Sequence, residues 1–297
     1  MKRNAQSLSI CVPGKACINK CAYCVACMHT ANYRNQMDEN LPFYDLYFED
    51  YVKRMCFAKE NDANIMMITG DIEPLQNRHF LQTLALINNY VLPARGCGSF
   101  NWIELQTSGV LFNRNYARFL RNTVGVSVLS LSLASFENFQ NNCIQRTAEN
   151  VCIEDICAIA KEYDFTLRLS LNMNELLWEF AGKSVERIFQ TAKELRADQL
   201  TFRKLYAEGD NPQSEWIKNN AVDESVFDEI NDYIVENGRL MGVLPYGYYQ
   251  YSVDGISVVV DKDCMNEGRA QKETSKYFVL RPDCKLYDGW QKEDIIF

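Results

Sequence analysis

The chain has 297 residues, 47% of them hydrophobic, and a formal net charge of −8. That length fits one large domain, or a domain with a small extension, with ample material for a core. The acidic balance and the lack of a long basic block weigh against tight, sequence-independent nucleic-acid binding, and no run of about 18 apolar residues offers a membrane span. Twelve cysteines are many for this size. Met1 to Ser9 holds no apolar signal core, so the expectation is a cytoplasmic protein with reduced thiols that serve metal binding or packing. The two histidines, His29 and His79, are too few for three-His zinc chemistry.

Leu8 to Val12 predicts a short buried strand, ended by Pro13-Gly14. The loop after it holds Cys17, Cys21 and Cys24 at C-x3-C-x2-C spacing, with Tyr23 just before the third cysteine. Three thiolates on one loop can hold three irons of a cubane and leave the fourth without a protein ligand. Cys27 adds a fourth thiol, and four would instead close a structural zinc or iron–sulfur site. A further alternative is a nucleophilic enzyme that uses Cys27 and His29.

Helical spacing of apolar residues covers Leu41 to Asn61, followed by a predicted strand from Asn64 to Thr69. A second helix is predicted from Arg78 to Tyr90, then a loop from Pro93 to Ser99 and a third strand from Trp102 to Thr107. Tyr116 to Asn122 and Ile153 to Tyr163 read as helices, with strands at Val126 to Leu133 and Thr166 to Leu171. A helix from Val185 to Arg196 and a strand from Gln199 to Arg203 complete the alternation. Cys56, Cys152 and Cys157 lie in helix-like stretches, where a free cysteine packs as a small buried hydrophobe. This alternation argues βα units around a parallel sheet, and six units are too few for a closed eight-stranded barrel. The fold class expected is α/β, an open partial (β/α)6 TIM barrel over residues 1–206 with its cysteine loop at 13–30. Residues 207–297 are expected to form a small α+β extension that closes the barrel and contributes to the substrate site. It includes a polar linker from Glu208 to Gln213, a helix from Asp223 to Glu236 and tyrosines at 246, 248, 249 and 251. Strands are predicted at Ile256 to Val260 and Lys276 to Leu280, the second followed by a hairpin turn through Arg281–Lys285 into Leu286-Tyr287.

In open α/β sheets and barrels, ligands bind at the carboxyl ends of the strands. There the sequence places Gly70-Asp71-Ile72-Glu73-Pro74 after strand 2 and Gln106-Thr107-Ser108-Gly109 after strand 3. Gly70 permits close backbone approach. On strand 4, Ser130 and Ser132 alternate with leucines, and Ser135 follows. On strand 5, Arg168, Ser170 and Asn172 share a face, and an inward arginine requires a carboxylate partner. Arg203 ends strand 6.

The cysteine loop resembles that of the radical SAM superfamily, in which a C-x3-C-x-aromatic-C loop after the first barrel strand binds a [4Fe–4S] cluster. The resemblance implies that Cys17, Cys21 and Cys24 hold the cluster and that S-adenosyl-L-methionine (SAM) chelates the open iron. Gly70, Asp71, Glu73 and Pro74 resemble the family's Gly-Gly-Glu-Pro motif, with Asp71-Ile72 in place of the second glycine. The resemblance implies further SAM contacts from Tyr23, Thr107, Ser108, Ser132, Ser135 and Asn172; the partner of Arg168 would be the SAM methionine carboxylate or a substrate acid, and Arg203 would serve substrate or SAM. It implies reductive SAM cleavage and hydrogen-atom abstraction from an unidentified substrate, whether peptide, nucleotide or small metabolite. It also implies a reductant such as flavodoxin or ferredoxin. Only Cys264 and Cys284 lie in the extension, so no auxiliary cluster is expected.

Overall fold

A computed structural model describes residues 4–28, 47–244, 247–263, 274–290 and 294–297. Its centre is one sheet of eleven strands in the order β11-β10-β1-β2-β3-β4-β5-β6-β9-β8-β7. Strands β1 (Asn4–Cys11), β2 (Ile65–Thr69), β3 (Trp102–Thr107), β4 (Val128–Leu133), β5 (Thr166–Asn172) and β6 (Gln199–Arg203) are the six predicted parallel strands. Two strands of the C-terminal region extend the parallel run, β10 (Thr274–Leu280) beside β1 and β9 (Ile256–Asp261) beside β6. Short antiparallel strands finish the edges: β11 (Leu286–Tyr287) on β10, and β8 (Tyr249–Val253) and β7 (Gly238–Val243) beyond β9. The sheet is open and mostly parallel, as the count of βα units led us to expect.

Period-2 alternation explains how each strand serves two environments. Leu8, Ile10, Met66, Ile68, Leu105, Leu129, Leu167, Leu169 and Phe202 are buried in the main hydrophobic core with the helices. The opposite residues, among them Ser7, Ser9, Glu104, Gln106, Arg168, Gln199 and Thr201, line a cavity on the concave face. A closed TIM barrel packs that interior with branched apolar side chains; here it is polar.

The helices start where side chains can take their free N–H groups. Asn77 caps α2 (Arg78–Leu86), Asn113 caps α3 (Arg114–Phe119) and Glu137 caps α4 (Asn138–Gln145). Asn174 caps α6 (Glu175–Phe180), Ser184 caps α7 (Val185–Glu194) and Asn211 caps α8 (Pro212–Asn220). Helices α1 (Phe48–Glu60), α5 (Ile153–Glu162) and α9 (Glu224–Asn237) have no capping side chain. Helix α2 continues through a π-turn at Ile87–Val91 into Leu92–Ala94, so the chain is still helical at Pro93, where a loop was predicted. Pro93 is tolerated because it sits in the first turn of that last segment. α3 likewise runs into a π-turn, Leu120–Val124, and stops at Gly125 with φ 84°.

The cysteine expectations hold in part. Cys157 is buried in the core, but Cys152 is exposed at the start of α5. Cys56 is bonded to Cys97 in a disulfide with Cα atoms 5.4 Å apart, which ties α1 to the turn after α2. A partner 41 residues away cannot be read from spacing alone. Cys264, His29 and Tyr246 lie outside the described residues. No helix among the described residues is long and apolar enough to cross a membrane.

The C-terminal strands also approach each other. Lys276 of β10 donates to Asp261 of β9 at 2.7 Å, although six parallel strands separate them in the sheet order. This buried pair therefore spans the opening between the two ends of the parallel run. Burial pushes the Asp261 carboxyl up, but Lys276 and then Arg203 outweigh it and leave the group below the ordinary aspartate value. A depressed folded pKa contributes stability above the unfolded value of about 3.9, and that contribution is lost as pH falls through the folded pKa. Asp261→Asn should therefore be less stable than the parent by about 3 kcal/mol at pH 7. The gap should begin to narrow as pH falls below roughly 4 and close as pH falls through the lower folded pKa. Urea midpoints of the two proteins at pH 7 and pH 3.5 check this, and a gap that widens in acid would refute it.

Candidate functional site

A cavity of about 280 Å³ opens at the carboxyl ends of β1 to β6. Cys17, Cys21 and Cys24 line it, with Tyr23, Gly70, Asp71, Glu73, Pro74, Thr107, Ser108, Ser132, Asn172 and Arg203. The fold thus gathers these predicted residues from six separate strand ends onto one wall. Cys27 is not on that wall, and its thiol is hydrogen-bonded with that of Cys24.

Two predicted residues lie elsewhere. Ser135 is fully buried, donates to Gln140 Oε1 at 2.6 Å and accepts from Glu137 N at 3.1 Å, which makes it part of the turn into α4. Arg168 lies lower in the barrel, where its guanidinium pairs with Glu104 and donates to Gln199 Oε1 at 2.8 Å. Its required carboxylate comes from the protein, one strand beyond β4. Strand alternation gives the face on which a side chain lies but not its depth.

Hydrogen bonds to neighbouring elements hold the cysteine loop. Gln76 accepts from Ile18 N at 2.8 Å and donates to Ala16 O at 3.1 Å. Asn77 donates to Pro13 O at 2.9 Å. Lys20 N and Ala22 N donate to Gln145 O and Ile144 O, the last carbonyls of α4. Asn19 donates to Ser108 Oγ at 2.7 Å, and Ser108 donates through Oγ at 2.6 Å and through N at 2.9 Å to Glu73. Thr107 Oγ1 donates to the other Glu73 oxygen at 2.5 Å. Glu73 is therefore a buried junction between the ends of β2 and β3 and, through Ser108, the cysteine loop. Burial pushes its carboxyl up, and the hydrogen bonds from Ser108 and Thr107 act against that. Gln76, Asn77, Asn19 and Gln145 were not singled out from the sequence. Asn19 alone carried a signal, by its place between two of the cysteines.

On the far side, Asn172 Nδ2 donates to Ser132 Oγ at 2.9 Å and to Tyr23 Oη at 3.3 Å. Tyr23 is thus pinned to the ends of β4 and β5. Burial pushes its hydroxyl well above the usual tyrosine value, so it stays a neutral phenol.

Three observations test whether the wall fits an iron–sulfur cluster with a polar ligand. The donor set is soft, three thiols on a braced loop. Asn19 Oδ1 and Gln145 Oε1 are buried and lack a hydrogen-bond partner, and both residues line the cavity. Such atoms require a donor that the protein does not supply. A Cβ on Gly70 would stand 3.0 Å from Val12 N and 3.2 Å from Val12 O, so glycine lets the chain after β2 lie close against the backbone at the end of β1. Burial pushes the Cys17 thiol up and the Cys21 thiol to about 12. Without metal all three sites hold thiols, and metal binding must release their protons. Among the described residues no three His, Cys, Asp or Glu side chains converge on a single ion. A cubane presents its irons at separate corners, so its thiolates are spread around it. The residues fit the group.

The open, mostly parallel α/β partial barrel is similar in fold to several solved structures. SuiB from Streptococcus suis matches with a TM-score of 0.55 and 13% identity, over 96% of this chain and 60% of that one. anSMEcpe with bound AdoMet matches with a TM-score of 0.54 and 18% identity, over 95% of this chain and 73% of that one. Coproporphyrinogen III oxidase (HemN) from Escherichia coli, a radical SAM enzyme, gives a TM-score of 0.49 and 12% identity, over 95% of this chain and 64% of that one. The chain thus spans about three fifths of the length of SuiB. No family sequence model matches the chain, and no curated protein matches it in sequence.

Proposed function

We propose that this protein is a radical SAM enzyme. The observation that carries the proposal is the single cavity wall on which Cys17, Cys21 and Cys24 meet Gly70, Asp71, Thr107, Ser108, Ser132 and Asn172. When bound, a [4Fe–4S] cluster with SAM on its open iron supplies one-electron cleavage of the sulfur–C5′ bond and hydrogen-atom abstraction. The three cysteines would hold the cluster. The loop braces fix their spacing, and the backbone at Gly70 gives the ligand's polar end close access to carbonyl oxygens. Glu73, with both oxygens engaged, acts mainly by setting the positions of Thr107 and Ser108. Ser132, Asn172 and Tyr23 offer neutral hydrogen bonds where a ribose or carboxylate would lie. A reductant such as flavodoxin or ferredoxin would supply the electron.

Anaerobic reconstitution with iron and sulfide, followed by dithionite reduction with SAM, tests the proposal. The expected products are 5′-deoxyadenosine and methionine. An intact, reduced cluster that leaves SAM uncleaved would sink the reading. The Cys27 thiol lies beside Cys24 and favours one rival, a closed four-cysteine structural site. Cys27→Ala separates the two: iron content within about 20% of parent is expected here, whereas a four-thiolate site loses its metal.

A further inference from the structure

Cys24 and Cys27 are separated only by Val25 and Ala26. Cys27 N donates to Cys24 O at 3.1 Å, so the chain turns tightly over these four residues. Such a turn holds its first and fourth Cα atoms within about 7 Å, and a disulfide accepts Cα separations of about 4.4–6.8 Å. The two thiols already touch through a hydrogen bond. Both are part-exposed, unlike Cys11 and Cys157, which are sealed in the core. A small thiol reagent therefore reaches the pair. Cys24 lines the cavity with Cys17 and Cys21, whereas Cys27 is off that wall. The pair thus joins one thiol of the candidate ligand set to one thiol outside it.

We propose that Cys24 and Cys27 form a reversible dithiol–disulfide pair, and that the oxidised pair blocks cluster loading. The block rests on the radical SAM reading, which makes Cys24 a cluster ligand; formation of the disulfide does not. The oxidant is a small disulfide such as oxidised glutathione. One thiolate of the pair attacks its sulfur–sulfur bond and expels a glutathione thiolate. The other protein thiol, already in contact, attacks the mixed disulfide, forms the Cys24–Cys27 bond and expels the second glutathione. Two protein thiols lose two electrons and two protons, and the reagent becomes two thiols. Oxidation leaves Cys17 and Cys21 as the thiols on the wall, one short of the three that would hold the cluster. A dithiol reductant reverses the exchange and frees Cys24.

The test uses the full chain without its cluster, equilibrated anaerobically in about 10 mM reduced and about 1 mM oxidised glutathione. The excess of reduced glutathione leaves isolated thiols mostly free, whereas a pair in contact still closes. After alkylation of free thiols, peptide mapping by mass spectrometry should find Cys24 joined to Cys27 in most molecules. Glutathione is then removed, and iron and sulfide are added with no other thiol. The oxidised protein should load at least threefold less iron than the reduced protein, and prior treatment with dithiothreitol should restore loading. Cys27→Ala, taken through the same buffer, should keep at least two thirds of its loading. If that variant does not fold, Cys27→Ser is read in the same way. Cys24 found free, or joined to Cys17 or Cys21, overturns the proposal. So does a Cys27 variant that loses as much loading as the parent. The peptide map needs neither cluster nor SAM, while loading and SAM cleavage by the reduced parent test the radical SAM reading, so the two failures are seen apart.

Discussion

Alanine in place of Cys17, Cys21 or Cys24, one at a time, should leave a folded protein that holds no stable [4Fe–4S] cluster. SAM cleavage should fall at least roughly 1,000-fold, or about 4 kcal/mol on the barrier scale. The fold should survive because none of the braces described for the cysteine loop uses a sulfur atom. Gln76 and Asn77 hold the backbone at Pro13, Ala16 and Ile18, while α4 carbonyls hold Lys20 and Ala22. Each variant should therefore melt with cluster-free parent protein and not below it. Iron and sulfide content, the electron paramagnetic resonance of the reduced protein and 5′-deoxyadenosine release are the readouts. A single variant that keeps both cluster and cleavage removes that thiol from the ligand set. Cys27→Ala, with its thiol off the cavity wall, is the internal control.

The sequence carries the cysteine loop and the parallel core because both rest on local signals. Thiol spacing is a property of one loop, and the alternation in Ser130-Leu131-Ser132-Leu133 is a property of one strand. The braces are not local. Gln76 reaches Ile18 across 58 residues, and Asn19 reaches Ser108 across 89. The C-terminal strands were legible as strands, but their places were not. A strand such as β10 gains its parallel partner β1 from the far end of the chain, and no pattern within Thr274–Leu280 names that partner. Arg168 is the instructive case. The need for a carboxylate followed from burial, yet Glu104 and a SAM carboxylate satisfy that need equally well until depth in the barrel is known.

Arg168→Met should cost about 3–5 kcal/mol of stability at pH 7, because it leaves Glu104 buried with the Gln106 amide, at 3.1 Å, and no cation partner within its strand neighbourhood. Glu104 is 3% exposed on its side chain while that of Arg168 is 25% exposed, so water reaches the arginine and places the loss near the lower end of that range. Arg168→Met combined with Glu104→Leu removes both charges and should recover most of the loss, with a coupling of about 2 kcal/mol by double-mutant cycle. Additive losses would mean that the two side chains do not act as a pair. The same double variant decides Arg168's part in the site. Because Arg168 lines the cavity on the concave face and not the one lined by Cys17, Cys21 and Cys24, SAM affinity should stay within about threefold of parent, under 1 kcal/mol. A tenfold fall in SAM affinity in a variant that melts normally would return Arg168 to the cofactor's surroundings.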